Sequence, residues 1–394
     1  MGPDQQPPGV TLPDYRAGSI VNLMASIREA LGGPPGPYPA LAALPPAALQ
    51  ERRNIVLVVI DGLGERFLRR AGPRTALATH LRGSMTSVFP STTATAVTAF
   101  LTGVAPQQHG LVGWFTYLRE VGSLVAVLPF RSRCGANLRR SGIDPARIFS
   151  APPFFDALPV QSFAVSPKEI THSDFNVLHT GKAERRGYGS HLDMFEEIRG
   201  IVTSGRRPQY VYAYYAELDA LAHVFGIDSP QVAGLLAALD QAFRRFLNSI
   251  AGSDTTVIVT ADHGFTDVHP ENTIDLDRHP AFADTLVLPL SGERRVAFCY
   301  VHPHRRQDFE DYVRGPLGHC AVAYPSAKLL EWGWFGLGPA HPRLPERLGH
   351  YTLLMKDGYA IKDWILGERR HLHIGHHGGM TSDEMLVPLI VAHP

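Results

Sequence analysis

The sequence predicts an α/β fold, a mostly parallel central sheet with helices on both faces and a smaller inserted cap. Three observations predict it. Four short apolar runs, residues 55–60, 210–215, 256–260 and 385–392, are rich in β-branched and aromatic residues, and none alternates cleanly. That is how strands buried on both faces read. Helical patterns lie between the runs. The first three runs each hand over to acidic or histidine residues, and open α/β sheets place ligands beyond the carboxyl ends of their strands.

The elements follow in chain order. Residues 1–50 read as a lead-in, with one helical stretch at 19–31 ended by Gly32-Gly33-Pro34-Pro35. Residues 51–274 read as the core. Its clearest helix spans 230–250, with Ser229 as N-cap, Pro230 at the first helical position and Gly252 just past the end. Residues 275–370 are crowded with Pro, Gly, His and aromatics and read as an insertion or cap. Residues 371–394 return to the core with the last strand.

Composition narrows the function. Of 394 residues, 44% are hydrophobic and 19% charged, the usage of a globular chain. Lys+Arg and Asp+Glu both number 37, so bulk attraction to nucleic acid or an anionic membrane is not expected. No apolar run reaches the ~18 residues of a membrane span. Met1 to Arg16 has no apolar core, so a cytoplasmic location is the default expectation. Cys134, Cys299 and Cys320 are too few and too scattered for a disulfide framework. The unusual count is 19 histidines, the commonest metal-ligating side chain.

The polar residues at the strand ends are metal-capable. Asp61 follows the first run. Asp219 and His223 follow the second and share a face if helical. Asp262-His263-Gly264 follows the third. Each alone also fits a turn, a cap or a helical hydrogen bond. Four more histidines, His371, His373, His376 and His377, precede the last run. The segment from Ser87 to Gly103 is built of small residues. Pro90-Ser91 suits a helix start and Gly103 a helix end, placing Thr92 and Thr93 in a first turn whose N–H groups favour an anion. Read alone, that turn is equally an ordinary cap.

Taken together, Asp61, the Thr92-Thr93 turn, Asp219-x-x-x-His223, Asp262-His263-Gly264 and His377-Gly378 resemble the alkaline phosphatase superfamily, and within it the type I phosphodiesterase/nucleotide pyrophosphatase family. The resemblance implies an alkaline-phosphatase-like fold and two divalent ions, zinc with manganese the alternative. Asp61, Asp262, His263 and the nucleophile would hold one ion; Asp219, His223 and His377 would hold the other. Counting back nine residues from the Thr of Thr102-Gly103 reaches Thr93 as nucleophile, with Thr92 the fallback. His376 competes with His377, and the following Gly favours the latter.

There are departures. The family's Asn after the His-Gly beyond the nucleophile helix is missing, because His109-Gly110 leads to Trp114 without one. No Asp precedes Thr93, and the sulfatase Cys-x-Pro-x-Arg signature is absent. The resemblance implies a hydrolase of phosphodiester or nucleotide pyrophosphate bonds acting through a phosphothreonine. The alternatives are a phosphomonoesterase, a phosphonate or phosphoryl-transfer enzyme, and a non-catalytic binding member. The expected partner is a small phosphate ester or nucleotide. Phe115, Tyr117, Phe154, Phe155, Trp332 and Trp334 could stack a base, though such residues are more often core. Arg131, Arg133, Arg139 and Arg140 could meet a phosphate, with a solvated surface the commoner fate. His172, His179 and His279 carry no assignment.

Overall fold

The computed structural model describes residues 9–133 and 135–394. Residues 1–8 of the lead-in and Cys134 lie outside it. A seven-stranded sheet forms the core, in the order Leu81–Thr86, Leu386–Ala392, Thr255–Thr260, Asn54–Ile60, Gln209–Tyr215, Gln161–Pro167, Glu184–Tyr188. All neighbours pair parallel except Leu386–Ala392, which runs antiparallel to both its partners. Asn54–Ile60, Gln209–Tyr215 and Thr255–Thr260 are buried along their whole lengths. The centre of the sheet is therefore covered on both faces, which explains the unbroken apolar runs.

Register brings the strand ends together. Ile60 lies opposite Tyr215, and Val59 opposite Thr260. The N–H of Asp61 still donates to the Tyr215 carbonyl, so the chain leaves the sheet only after Asp61. The turn that follows needs Gly62. Its φ is +78°, and a Cβ there would meet the Phe265 ring at 2.5 Å.

The helices follow the expected signals. Pro230–Ser249 starts at Ser229, whose hydroxyl accepts from the Val232 N–H. Helix Ile20–Ala30 belongs to the main apolar core, and Arg28 reaches the Thr102 carbonyl at 3.4 Å. Helix Thr93–Thr102 is buried at all ten positions and ends on Gly103 at φ +70°. Its small residues allow close packing on every side. The hydroxyls of Thr98 and Thr102 are satisfied by carbonyls one turn back, at 2.6 Å each.

A second seven-stranded sheet is wholly antiparallel. Four of its strands, Ser291–Gly292, Val296–Cys299, Ala321–Pro325 and Tyr351–Met355, come from the crowded 275–370 span. The other three, Phe115–Leu118, Ser123–Ala126 and Arg131–Ser132, come from just beyond helix Thr93–Thr102. The sheet thus crosses the division at 275 drawn from composition. Strands of two to five residues carry too little periodicity to be read from the sequence.

A buried ion pair ties the two sheets. Arg295, between two strands of the second sheet, meets Glu384, just before the last core strand, through two 3.1 Å bonds, with both side chains fully buried. Arg295 also donates to the carbonyls of Lys356 and Tyr359. Glu384 also accepts from the Gly379 N–H and the Thr381 hydroxyl. Burial pushes the Glu384 carboxyl up, but Arg295 and these hydrogen bonds outweigh it and hold it below the usual range.

Breaking the pair leaves a buried charge unmatched, at a cost of about 3–5 kcal/mol. Glu384→Gln should therefore lower the urea midpoint without changing the slope. Because the folded carboxyl titrates low, its contribution is complete above the ordinary carboxylate range and fades as pH falls through the folded value. The stability gap between wild type and Glu384→Gln should accordingly narrow on acidification. An equal gap at neutral and strongly acidic pH would contradict this.

Candidate active site

Six of the residues singled out from the sequence converge at the carboxyl edge of the core sheet. Oδ1 of Asp61 lies 3.2 Å from His263 Nε2, and Asp262 Oδ2 lies 3.4 Å from the same nitrogen. Nε2 of His223 lies 3.4 Å from Asp219 Oδ1 and 3.2 Å from His377 Nε2, which is itself 3.6 Å from Asp219 Oδ1. His263 bridges the two groups. Its ring stacks on His377 at 3.8 Å, and it also falls within a 4.8 Å cluster with Asp219 and His377.

The imidazoles are aimed from behind. Nδ1 of His223 faces the Gly375 carbonyl at 2.9 Å, and Nδ1 of His263 faces the Gly264 carbonyl at 3.1 Å. Each turns Nε2 into the site, as metal-binding histidines do. His376 is elsewhere engaged, with Nε2 on the His373 carbonyl at 3.1 Å. The one-residue ambiguity in the sequence is thus placed geometrically: His377 faces Asp219 and His223, and His376 does not.

Electrostatics show what the cluster lacks. Asp61 and Asp262 are buried, and each leaves one carboxylate oxygen without a hydrogen-bond partner, as does Asp219. Burial, then the charges of Asp219 and Asp262, pushes the Asp61 carboxyl up despite a hydrogen bond from the Tyr214 hydroxyl. Burial likewise raises Asp262, against the pull of His263. His377 is pushed far down by burial and by the neighbouring histidines, which favours the uncharged imidazole. Oxygen and imidazole donors converging with unpartnered lone pairs fit divalent cations.

Thr93 is the first residue of its helix. Its hydroxyl lies 3.1 Å from His263 Nε2. Thr92 is the N-cap residue but caps nothing, because its hydroxyl donates instead to Glu293 at 2.6 Å. The first-turn N–H groups of the helix therefore have no side-chain cap, the arrangement that receives an anion.

Glu293 went unrecognised in the sequence. It also accepts from the Trp114 N–H at 2.6 Å. Burial raises its carboxyl, and the Thr92 and Trp114 hydrogen bonds oppose that. The available signal was the charged triplet Glu293-Arg294-Arg295 inside an apolar stretch. Among the aromatics considered, only Phe115 lines the site cavity. Tyr117 packs on Tyr300, and the phenylalanines and tryptophans join core clusters. Arg131 and Arg133 line the cavity, but Arg133 is not solvated. Its side chain is buried between Asp363 and Glu368, at 2.8 and 2.9 Å. Arg139 is a surface pair with Asp174, and Arg140 is exposed. His179 is packed against Phe175, and His279 bonds Tyr312, both away from the cavity.

This fold and this constellation define a phosphoryl-transfer hydrolase of the alkaline phosphatase superfamily. The chain belongs to the type I phosphodiesterase/nucleotide pyrophosphatase family, whose model matches residues 55–380. Among curated proteins none matches the sequence. Several solved structures share the fold. Murine ectonucleotide pyrophosphatase/phosphodiesterase 5 is 17% identical over 86% of this chain and 88% of its own, with a TM-score of 0.65. An inactive threonine-to-alanine variant of that protein in complex with AMP is 16% identical over 85% and 87%, at 0.63. Phosphonoacetate hydrolase from Sinorhizobium meliloti 1021, in complex with phosphonoacetate, is 16% identical over 86% and 90%, at 0.63. Among the described residues no helix is long and apolar enough to cross a membrane.

The buried Asp61–Asp262 pair makes a testable trade. Asp262→Asn removes one of two like charges and supplies an amide donor beside Asp61. It should raise the thermal midpoint of the metal-free protein by about 1–2 °C, some 1 kcal/mol for a chain this size. It should also weaken divalent-ion binding at least about tenfold, measured by calorimetry. A lower midpoint in the metal-free state would contradict the like-charge argument.

Proposed function

We propose that this hydrolase cleaves small phosphodiesters by covalent catalysis through Thr93. The observation that carries the reading is the position of the Thr93 hydroxyl. It sits at the uncapped start of a buried helix, 3.1 Å from Nε2 of His263, the residue common to both ligand clusters.

Asp61, Asp262 and His263, with Thr93, would hold one divalent ion; Asp219, His223 and His377 would hold the other. Zinc suits this mixed oxygen and nitrogen set, with manganese second. Such ions, when bound, polarise phosphoryl oxygens and make a hydroxyl nucleophilic at neutral pH. The chain's own contribution is positional. The helix start aims Thr93 Oγ1 at phosphorus, and its N–H groups receive a non-bridging oxygen. The Oγ1–phosphorus bond forms as the bond to the leaving oxygen breaks. Water then attacks this threonine-bound phosphate ester, the Oγ1–phosphorus bond breaks, the phosphate monoester leaves and the hydroxyl is restored. The murine relative described as inactive carries alanine in place of a threonine, which supports this role.

Glu293 favours diesters over monoesters. Its carboxylate holds the Thr92 hydroxyl and the Trp114 N–H next to the nucleophile. A monoester dianion would meet that charge more strongly than a diester monoanion would.

Two outcomes are expected. With bis-p-nitrophenyl phosphate, p-nitrophenyl thymidine phosphate and p-nitrophenyl phosphate, the diesters should turn over fastest, and chelation should stop all turnover. Thr93→Ala should cut kcat by about a thousandfold or more. Wild-type rates in that variant would sink the covalent step. Separately, Glu293→Gln should raise kcat/KM for the monoester relative to the diester by about tenfold. An unchanged ratio would remove Glu293 as the source of discrimination.

A further inference from the structure

The cavity continues past the ligand clusters, with a volume of about 630 Å³, and its far wall is cationic. Arg133 is spent there, because Asp363 and Glu368 already pair it. Two other cations stand beside it, so that three cations share two carboxylates. Lys362 shares Glu368 with Arg133, at 3.4 Å. Arg294 bonds the His371 ring at 2.9 Å and feels the charges of Glu293 and Glu368, but among the described residues no carboxylate lies within 4.0 Å of it. Burial, with Arg133 beside it, presses the Lys362 ammonium down to about 8. Burial also presses Arg294 down to about 10. Positive charge is therefore concentrated on this wall with too few anions to match it.

The rings nearby are already occupied. Arg133 and Lys362 lie over Phe115, at 4.8 and 5.5 Å from its centroid. Lys362 and Arg294 lie over Trp364, at 5.0 and 5.9 Å. A base stacking on either ring would have to displace a cation held there. Trp114, which also lines the cavity, carries no such cation and is 38% exposed.

We propose that Arg294 and Lys362 form a subsite for a second anionic group of the substrate, a carboxylate or a phosphate, set apart from the phosphorus that Thr93 attacks. The proposal rests on the reading of the site as a phosphodiesterase and narrows its substrate class. A guanidinium fork with no carboxylate partner matches either oxyanion, and an ammonium beside it adds a point charge. A half-buried cation without a partner is a poor arrangement until an anion arrives. The two ends of the cavity then discriminate in opposite senses. Glu293 penalises a second charge on the reacting phosphoryl group, and the Arg294 wall rewards one carried elsewhere.

The test keeps the leaving group constant. Propyl, carboxyethyl and phosphonoethyl p-nitrophenyl phosphates share p-nitrophenolate and differ in the retained group. The metal-loaded enzyme should prefer both anionic esters over the propyl ester by about tenfold or more in kcat/KM, chiefly through KM. Arg294→Met and Lys362→Met should each shrink that ratio toward one, and Arg294→Lys should keep part of it. Turnover of the propyl ester in each sample reports a folded variant. Comparing the carboxylate with the phosphonate distinguishes the two anion sources.

A binding arm separates this proposal from the reading it rests on. Phosphonopropionate should bind the metal-loaded wild type more tightly than methylphosphonate by about fivefold or more, and Arg294→Met should lose that gain. If the gain appears but no diester turns over, the phosphodiesterase reading fails and the subsite stands. If diesters turn over with no anion preference and no binding gain, the subsite fails alone. A preference for p-nitrophenyl thymidine phosphate over both anionic esters would overturn it in favour of a nucleoside stacked on Trp114.

Discussion

Three carboxylates, Asp61, Asp219 and Asp262, are gathered at one edge of the core sheet with no lysine or arginine paired to them among the described residues. Water cannot relieve them, because Asp61 and Asp262 are buried and their free oxygens point inward. The fold holds them in place regardless. Register fixes Asp61 at the end of its strand, and Asp262 is anchored by N–H groups of Gly62 and His263, at 3.1 and 3.0 Å. Such a cluster is expensive in isolation and becomes favourable when it binds cations. The three imidazoles are turned to share that task. The edge of the sheet therefore stores an electrostatic demand that the rest of the molecule is built to keep.

The second sheet gives the demand a chemical context. Arg295 locks onto Glu384, and the Glu384 carbonyl accepts from the Gly264 N–H at 2.8 Å. The loop carrying His263, the loop carrying His377 and the second sheet are thereby tied at one point. Gly264 is required there, since a Cβ would run into the Asp383 carbonyl. The two residues before Arg295 inherit its rigidity. Glu293 reaches the Thr92 hydroxyl and Arg294 the His371 ring. A single turn thus carries charges of opposite sign into one cavity.

What the sequence disclosed and what it concealed divide along this same line. The core strands were legible because burial on both faces writes continuous apolar runs, and the polar edge because the first three runs each lead into metal-capable residues. The helix Thr93–Thr102 was legible because Pro90-Ser91 suits a start and Gly103 an end. The second sheet was not. Its strands span two to five residues, and its partners are far apart in the chain. Arg133 shows the consequence. Read alone, it is one of several surface arginines; its burial depends on Asp363, 230 positions away. Lys362 and Glu293 are hidden for the same reason, since nothing in their local sequence reports what they face.

The missing asparagine is best understood through that hidden sheet. Its absence after His109-Gly110 removes a neutral side chain that could donate to a phosphate oxygen. The Trp114 N–H and the Thr92 hydroxyl both go to Glu293. Neither is then free to reward a more highly charged phosphoryl group. In the proposed reading, stabilisation of the reacting oxygens would fall to the helix start of Thr93 and to the cations that Asp61, Asp219 and Asp262 would hold. A site so arranged gains little from charge on the reacting phosphorus itself. It can gain from charge held at a distance, and the distant wall is where its unmatched cations lie.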